Sequence, residues 1–135
     1  MLGLPEGFVK PDDVKSLDFI YERVAQVNEI MSTELDGKNI DDISDRMTDL
    51  MELRPAMADI KASAKYYLNF QKAKAIESTD LELQPSKFKM VIDTAVREWQ
   101  WLFDRCDRTE AALTHYLDEC RSLLSKEKEV RRQMI

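Results

Sequence analysis

The sequence predicts an all-α protein of three main helices, elongated, with coiled-coil-like packing and an oligomeric state. The first observation behind this is a 4-3 spacing that never slips. It runs through Phe88, Ile92, Ala95, Trp99, Leu102, Cys106, Thr109, Leu113, Tyr116, Cys120, Leu123, Glu127, Val130 and Met134, and only Thr109 and Glu127 are neither apolar nor aromatic. A strand would need period two, so this is one long amphipathic helix with a seam of the coiled-coil type. The second is that no Gly follows Gly37 and no Pro follows Pro85. The third is composition: 44% apolar residues exclude bulk disorder, and 34% charged residues are what long-helix proteins carry.

The elements follow in order. Residues 1–11 hold two of the four Pro and two of the three Gly and read as an irregular arm, with Leu2, Leu4 and Phe8 able to pack. Residues 12–135 read as a single helical domain. Asp12 or Asp13 can cap a first helix over residues 12–36. Its seam is Val14, Leu17, Tyr21, Val24, Asn28, Met31 and Leu35, and Gly37 suits the position that ends it. Asn28 stands where an apolar residue is expected, a placement that can fix register and oligomer state. A second helix spans residues 41–77 on Ile43, Met47, Leu50, Met57, Ile60 and Ala64, with a kink or short break at Pro55. The third, residues 86–132, follows Pro85 with Ser86 as its cap.

At about 1.5 Å per residue the last helix would run some 70 Å, wider than a compact domain of this size. One chain cannot cover it on all sides, so a homo-oligomer is expected. Asn28, Trp99, Trp101, Leu113, Tyr116 and Leu123 are its interface candidates. The expected core is Leu17, Val24, Met47, Leu50, Ile60, Ile92, Trp99, Leu102, Cys106, Leu113 and Leu123.

Several function classes are excluded. Three Gly cannot build the phosphate-cradling loops of P-loop or Rossmann proteins. No uncharged run is long enough to span a membrane, and the first residues lack the basic and apolar regions of a signal peptide, so a cytoplasmic protein is expected. Cys106 and Cys120 lie about 21 Å apart on one helix, beyond disulfide reach, and read as buried thiols. His115 is the only His, which excludes His-rich metal sites and Glu-x-x-His pairs. No cofactor and no metal are expected.

The net charge of −6 is uneven. Residues 1–52 carry five basic and thirteen acidic side chains, residues 53–97 eight and five, and residues 98–135 seven and eight. In the basic middle, Arg54, Lys61, Lys65 and Lys72 lie within about 20° of one helical line. Lys74 is nearby, and Tyr66, Tyr67 and Phe70 are interleaved. Basic groups in a row with aromatic neighbours suit a single-stranded nucleic acid: charge meets phosphate, and rings stack on bases. Asp42, Asp45, Asp49 and Glu52 form an acidic face on the same helix. Such a face could hold Mg²⁺ for phosphate chemistry, as in all-α nucleotide pyrophosphohydrolases, and Asp18, Glu22 and Glu29 could add to it. That family pairs Glu-x-x-Glu with a later Glu-x-x-Asp, and the chain does not carry both. A solvated face is the simpler reading.

Two stretches carry a resemblance. The run Tyr66-Tyr67-Leu68 through Lys72-Ala73-Lys74-Ala75, then Trp99 to Cys106, then Arg121-Ser122-Leu123-Leu124, resembles small helical phage and prophage proteins encoded beside recombination genes. The segment from Glu98 to Cys106 is also similar to a Trp-x-x-Leu-x-Asp-x-Cys stretch of the UvsY-type recombination mediators. The likeness covers roughly residues 57–130 as a pattern rather than a signature. It implies a non-enzymatic oligomer that binds single-stranded DNA and helps a recombinase replace a single-strand-binding protein. The acidity of residues 1–52 departs from a plain DNA binder and leaves room for a protein partner. Three functions therefore stand: a recombination accessory binding single-stranded DNA, a helical adaptor or structural phage protein without nucleic-acid affinity, and a Mg²⁺-dependent pyrophosphohydrolase.

Overall fold

The computed structural model describes residues 2–134, and among these it contains four α-helices and no strand: α1 (Leu17–Ser32), α2 (Ile40–Ser78), α3 (Pro85–Ala95) and α4 (Arg97–Met134). The all-α expectation holds, and the count of three is corrected to four. The single long helix expected from Pro85 onward is divided at Val96, whose backbone (φ −106°, ψ 8°) leaves the helical region. Gln100 N–H donates to Val96 O at 2.9 Å, so α4 restarts at once. The step buries Val96 while Ala95, a member of the expected seam, is exposed.

Local chemistry sets each boundary. Ser16 Oγ accepts from Phe19 N–H at 3.2 Å and starts α1, four residues later than an Asp12 cap would. Asp12 and Asp13 lie instead in a turn in which Val14 N–H donates to Pro11 O. α1 ends at Ser32, short of Gly37, because Thr33 is extended and its Oγ1 donates to Glu29 O at 2.8 Å. Asn39 Oδ1 accepts from Asp41 and Asp42 N–H and caps α2, which leaves those two carboxylates in a first turn that favours them. α2 runs unbroken through Pro55. The ring is exposed, so water can take the carbonyl that the missing N–H leaves free. Pro85 occupies the first turn of α3, and Ser86 lies within that helix rather than capping it.

α2 and α4 lie antiparallel. Tyr67 stacks on Trp99 with centroids 5.7 Å apart, Lys61 faces Asp107, and Arg46 reaches Tyr116. α1 runs antiparallel to α2: Ser63 and Tyr67 bind the backbone of Lys15 just before α1, and Arg46 binds Ile30 O near its end. α3 packs on the C-terminal part of α2. The chain exposes 9026 Å², against about 7,300 Å² for a compact globular chain of its mass, as a rod of helices does.

One continuous core joins α1, α2 and α4, with Leu50, Ile60, Leu68, Leu102, Leu113 and Leu117 fully buried. Most of the long seam is therefore covered within the chain. α2 has 39 residues and α4 has 38, but the Tyr67–Trp99 and Lys61–Asp107 contacts offset them, so the last turns of α4 run past the start of α2. What remains uncovered is its last part, Val130 and Met134, which are exposed.

Both thiols are buried in this core. Burial pushes Cys106 from the ordinary 9.0 up to about 11 and also raises Cys120. A thiol reagent at neutral pH is expected to find neither thiol in the folded protein and both in denaturant. The sign with pH follows: the unfolded thiol ionises above 9.0 while the folded one keeps its proton to about 11. Stability should thus fall as pH rises through that window, and Cys106→Ser should flatten the fall in a urea-midpoint series.

Candidate nucleic-acid interface

The basic row of α2 lies where the sequence places it, and tertiary neighbours engage much of it. Lys61 Nζ is 2.8 Å from Asp107 Oδ1 and 3.3 Å from Glu110 Oε1 of α4. Those two hydrogen bonds hold the Lys61 pKa above its ordinary value. Lys65 Nζ lies 4.9 Å from the centre of the Phe103 ring. Lys74 Nζ donates to Glu6 O of the arm at 2.7 Å. Arg54 is exposed and Lys72 half-buried, and neither forms an ion pair among the described residues.

The interleaved aromatics are covered as well. Tyr67 is fully buried. Phe8 of the arm sits over the other two, with centroids 5.9 Å from Tyr66 and 4.9 Å from Phe70, and 4.8 Å from Tyr67 itself. Phe70 is half-buried, and Tyr66 keeps 44% of its surface. The rings that would stack on bases pack instead on Phe8, two of them against it edge-on.

The interface candidates divide in the same way. Trp99 and Leu113 are buried in the core of their own chain, so they face α2 and are not free to meet another copy. Tyr116 is half-buried, and its hydroxyl accepts from Arg46 at 2.8 Å. Leu123 is half-buried beside Gly37. Asn28 and Trp101, from α1 and α4, come together on the walls of one groove. Asn28 Nδ2 donates to Val24 O at 3.0 Å, which turns its amide back onto its own helix.

Trp101 also lines a second groove, with Leu2, Tyr21, Arg97 and Glu98, and the arginines of the two grooves are residues that the sequence analysis does not single out. Arg97, Trp101, Arg105 and Arg108 fall at i, i+4, i+8 and i+11 of α4, within about 80° of one another. Trp101 is 49% exposed, and the Arg105 guanidinium lies 5.6 Å from its ring centre. All three arginines are exposed, and none forms an ion pair among the described residues. The α1 side chains facing them, Tyr21 and Asn28, are uncharged, and Glu98 is the one carboxylate on the groove walls. The nearby carboxylates are otherwise occupied: Asp104 accepts from Gln100 and Asp107 holds Lys61. The signal in the sequence was there, as an off-seam Trp with Arg four residues before it and four and seven after it.

The acidic face of α2 is exposed at Asp42, Asp45, Asp49 and Glu52. Among the described residues no group of three or more His, Cys, Asp or Glu is arranged to hold a metal ion. His115 is exposed on α4, 3.1 Å from Glu119. Among the described residues no helix is long and apolar enough to cross a membrane. No family model, curated protein or solved structure matches the chain.

Proposed function

We propose that this is a non-enzymatic accessory protein of phage recombination or related DNA metabolism, which binds single-stranded DNA as an oligomer along the α4 face that carries Trp101. The observation that supports it is the half-exposed indole set among three arginines that lack ion-pair partners within the chain. An indole offers a stacking surface to any base, and the guanidiniums offer forked donors to phosphate. This reading moves the strand from α2 to α4, where the three guanidiniums are exposed and lack ion-pair partners among the described residues. Arg54, Lys65 and Lys72 remain secondary phosphate contacts. The recombination setting, and a recombinase or single-strand-binding protein as partner, rest on the resemblance of residues 57–130 described above.

A helical adaptor without nucleic-acid affinity is the second reading. The concentration of carboxylates in residues 1–52 favours it, since that end repels phosphate.

Fluorescence anisotropy of a labelled single-stranded oligonucleotide separates the two. Three phosphate contacts should give a log–log salt slope of about −2. Trp101→Ala should weaken binding about tenfold, at the lower end of what one stacked base contributes. Arg105→Glu with Arg108→Glu should abolish binding while the protein stays folded. Absence of binding at low salt by folded protein leaves the adaptor reading.

A further inference from the structure

The chain carries a second unneutralised row, and it is of opposite charge. Asp42, Asp45, Asp49 and Glu52 are all exposed on one side of α2, and none forms an ion pair among the described residues. The cation nearest in sequence does not quench them. Arg46 spends its guanidinium on the carbonyls of Ile30, Thr33 and Glu34 and on the Tyr116 hydroxyl. The acidic row extends about 15 Å and the Arg97–Arg108 row about 16 Å. The basic row has Trp101, 49% exposed, set among its arginines.

The two rows cannot meet within one chain. Tyr67 stacks on Trp99 and Lys61 pairs with Asp107, so the basic row lies level with residues 60–71 of α2. That is about 18 residues, or about 27 Å, along the rod from the acidic row. Whatever neutralises each row comes from outside, and a second copy of the chain supplies both complements at matching length.

We infer that the protein self-associates head to tail, the acidic row of α2 in one copy seated on the Arg97–Trp101–Arg105–Arg108 face of α4 in the next. The contact joins two different surfaces, so each copy keeps one free row of each sign. Assembly closes into a ring or continues as a filament according to the rotation per step. This rests on the reading of the α4 face as an anion-binding surface, though not on DNA being the anion. It makes the acidic end of one copy a competitor of nucleic acid for the same arginines.

The test is sedimentation velocity of the full chain over a concentration series at low and moderate salt, with far-UV circular dichroism to confirm folding. The wild type should assemble at low salt and dissociate as salt rises. Asp45→Lys with Asp49→Lys should be monomeric, and so should Arg105→Glu with Arg108→Glu. An equimolar mixture of these two variants should assemble again, because the introduced lysines of one copy then face the introduced glutamates of the other, and the unaltered rows face each other at the alternate contact. If either pair fails to fold, Asp42→Lys with Glu52→Lys, or Arg97→Glu with Arg108→Glu, takes its place. A wild type that stays monomeric at low salt overturns the inference, as does assembly that survives both reversals or a mixture that stays monomeric. Oligonucleotide binding by a protein that never assembles overturns the inference and the oligomeric part of the DNA reading, and leaves strand binding by the α4 face standing. Rescue in the mixture without oligonucleotide binding upholds the inference and overturns the DNA reading.

Discussion

Replacing Tyr67 with Ala should cost about 4 kcal/mol of folding stability, a large share of the 5–15 kcal/mol that holds a typical domain folded. The ring is fully buried. It stacks on Trp99 at 18° between planes, meets Phe8 from the arm, and its hydroxyl donates to Lys15 O at 3.0 Å. The residue therefore ties α2 to α4, to the arm and to the entry of α1 at one level of the rod. Tyr67→Phe separates the parts of that sum. It keeps the stack and removes the hydrogen bond, so it should cost about 1 kcal/mol, the usual net value of one such bond. Urea unfolding followed by tryptophan fluorescence measures both. A Tyr67→Ala cost near that of Tyr67→Phe would mean that the ring contributes little beyond its hydroxyl. Tyr67→Phe should leave oligonucleotide affinity unchanged, since a base cannot reach this ring in the folded chain.

Tyr67 also shows where sequence reading stops. The helical period located the buried stripe well: Leu17, Val24, Leu50, Ile60, Ile92, Trp99, Leu102, Cys106 and Leu113 are all buried, with Met47 and Leu123 half-buried. A period states that a stripe must be covered and is silent on what covers it. The length of the last helix points to other copies as its cover, yet α2 of the same chain buries the seam from Trp99 to Cys120 and leaves only its end, Val130 and Met134, exposed. The division at Val96 carries no Gly or Pro and no slip in the 4-3 spacing. It is a tertiary event, set where α3 leaves the bundle that α4 joins. The insertion of Phe8 among Tyr66, Tyr67 and Phe70 depends on a contact across some sixty residues, which no local pattern records.

The candidate site follows the same logic. Lys61 and Lys65 share a helical line with Arg54 and Lys72, as the spacing required. Their chemistry is decided by Asp107, Glu110 and Phe103, which lie on another helix. Trp101 was legible as an off-seam residue, and its exposure confirms that position. Arg105 and Arg108 escape a regional count because residues 98–135 are nearly neutral in sum, and Arg97 falls at the end of the basic middle. A regional charge hides a local row when acids and bases lie on different faces of one helix.

Arg46 gives the second large effect. Its Nη1 donates to Ile30 O and Thr33 O at 2.9 Å and to the Tyr116 hydroxyl at 2.8 Å, and its Nη2 donates to Glu34 O at 3.0 Å. The last turn of α1 contains no basic residue, so this guanidinium from α2 supplies the positive charge at the negative end of its dipole, reaching Ile30 O within the last turn and Thr33 O and Glu34 O just beyond it. One planar fork thus fastens the end of α1 to α2 and α4 together. Arg46→Met should cost about 2–3 kcal/mol, the range for hydrogen bonds to a charged group with partly buried acceptors left behind. Arg46→Lys should recover little, because a single ammonium cannot span acceptors on both sides of the fork. Tyr116→Phe should cost about 1 kcal/mol by itself, and far less once Arg46 is already Met. Hydrogen exchange should then show where the loss falls. Amides of residues 29–34 should lose protection first, while those around Leu102 and Leu113 should open only with global unfolding. Equal loss across the bundle would show that Arg46 supports the whole core rather than the end of α1.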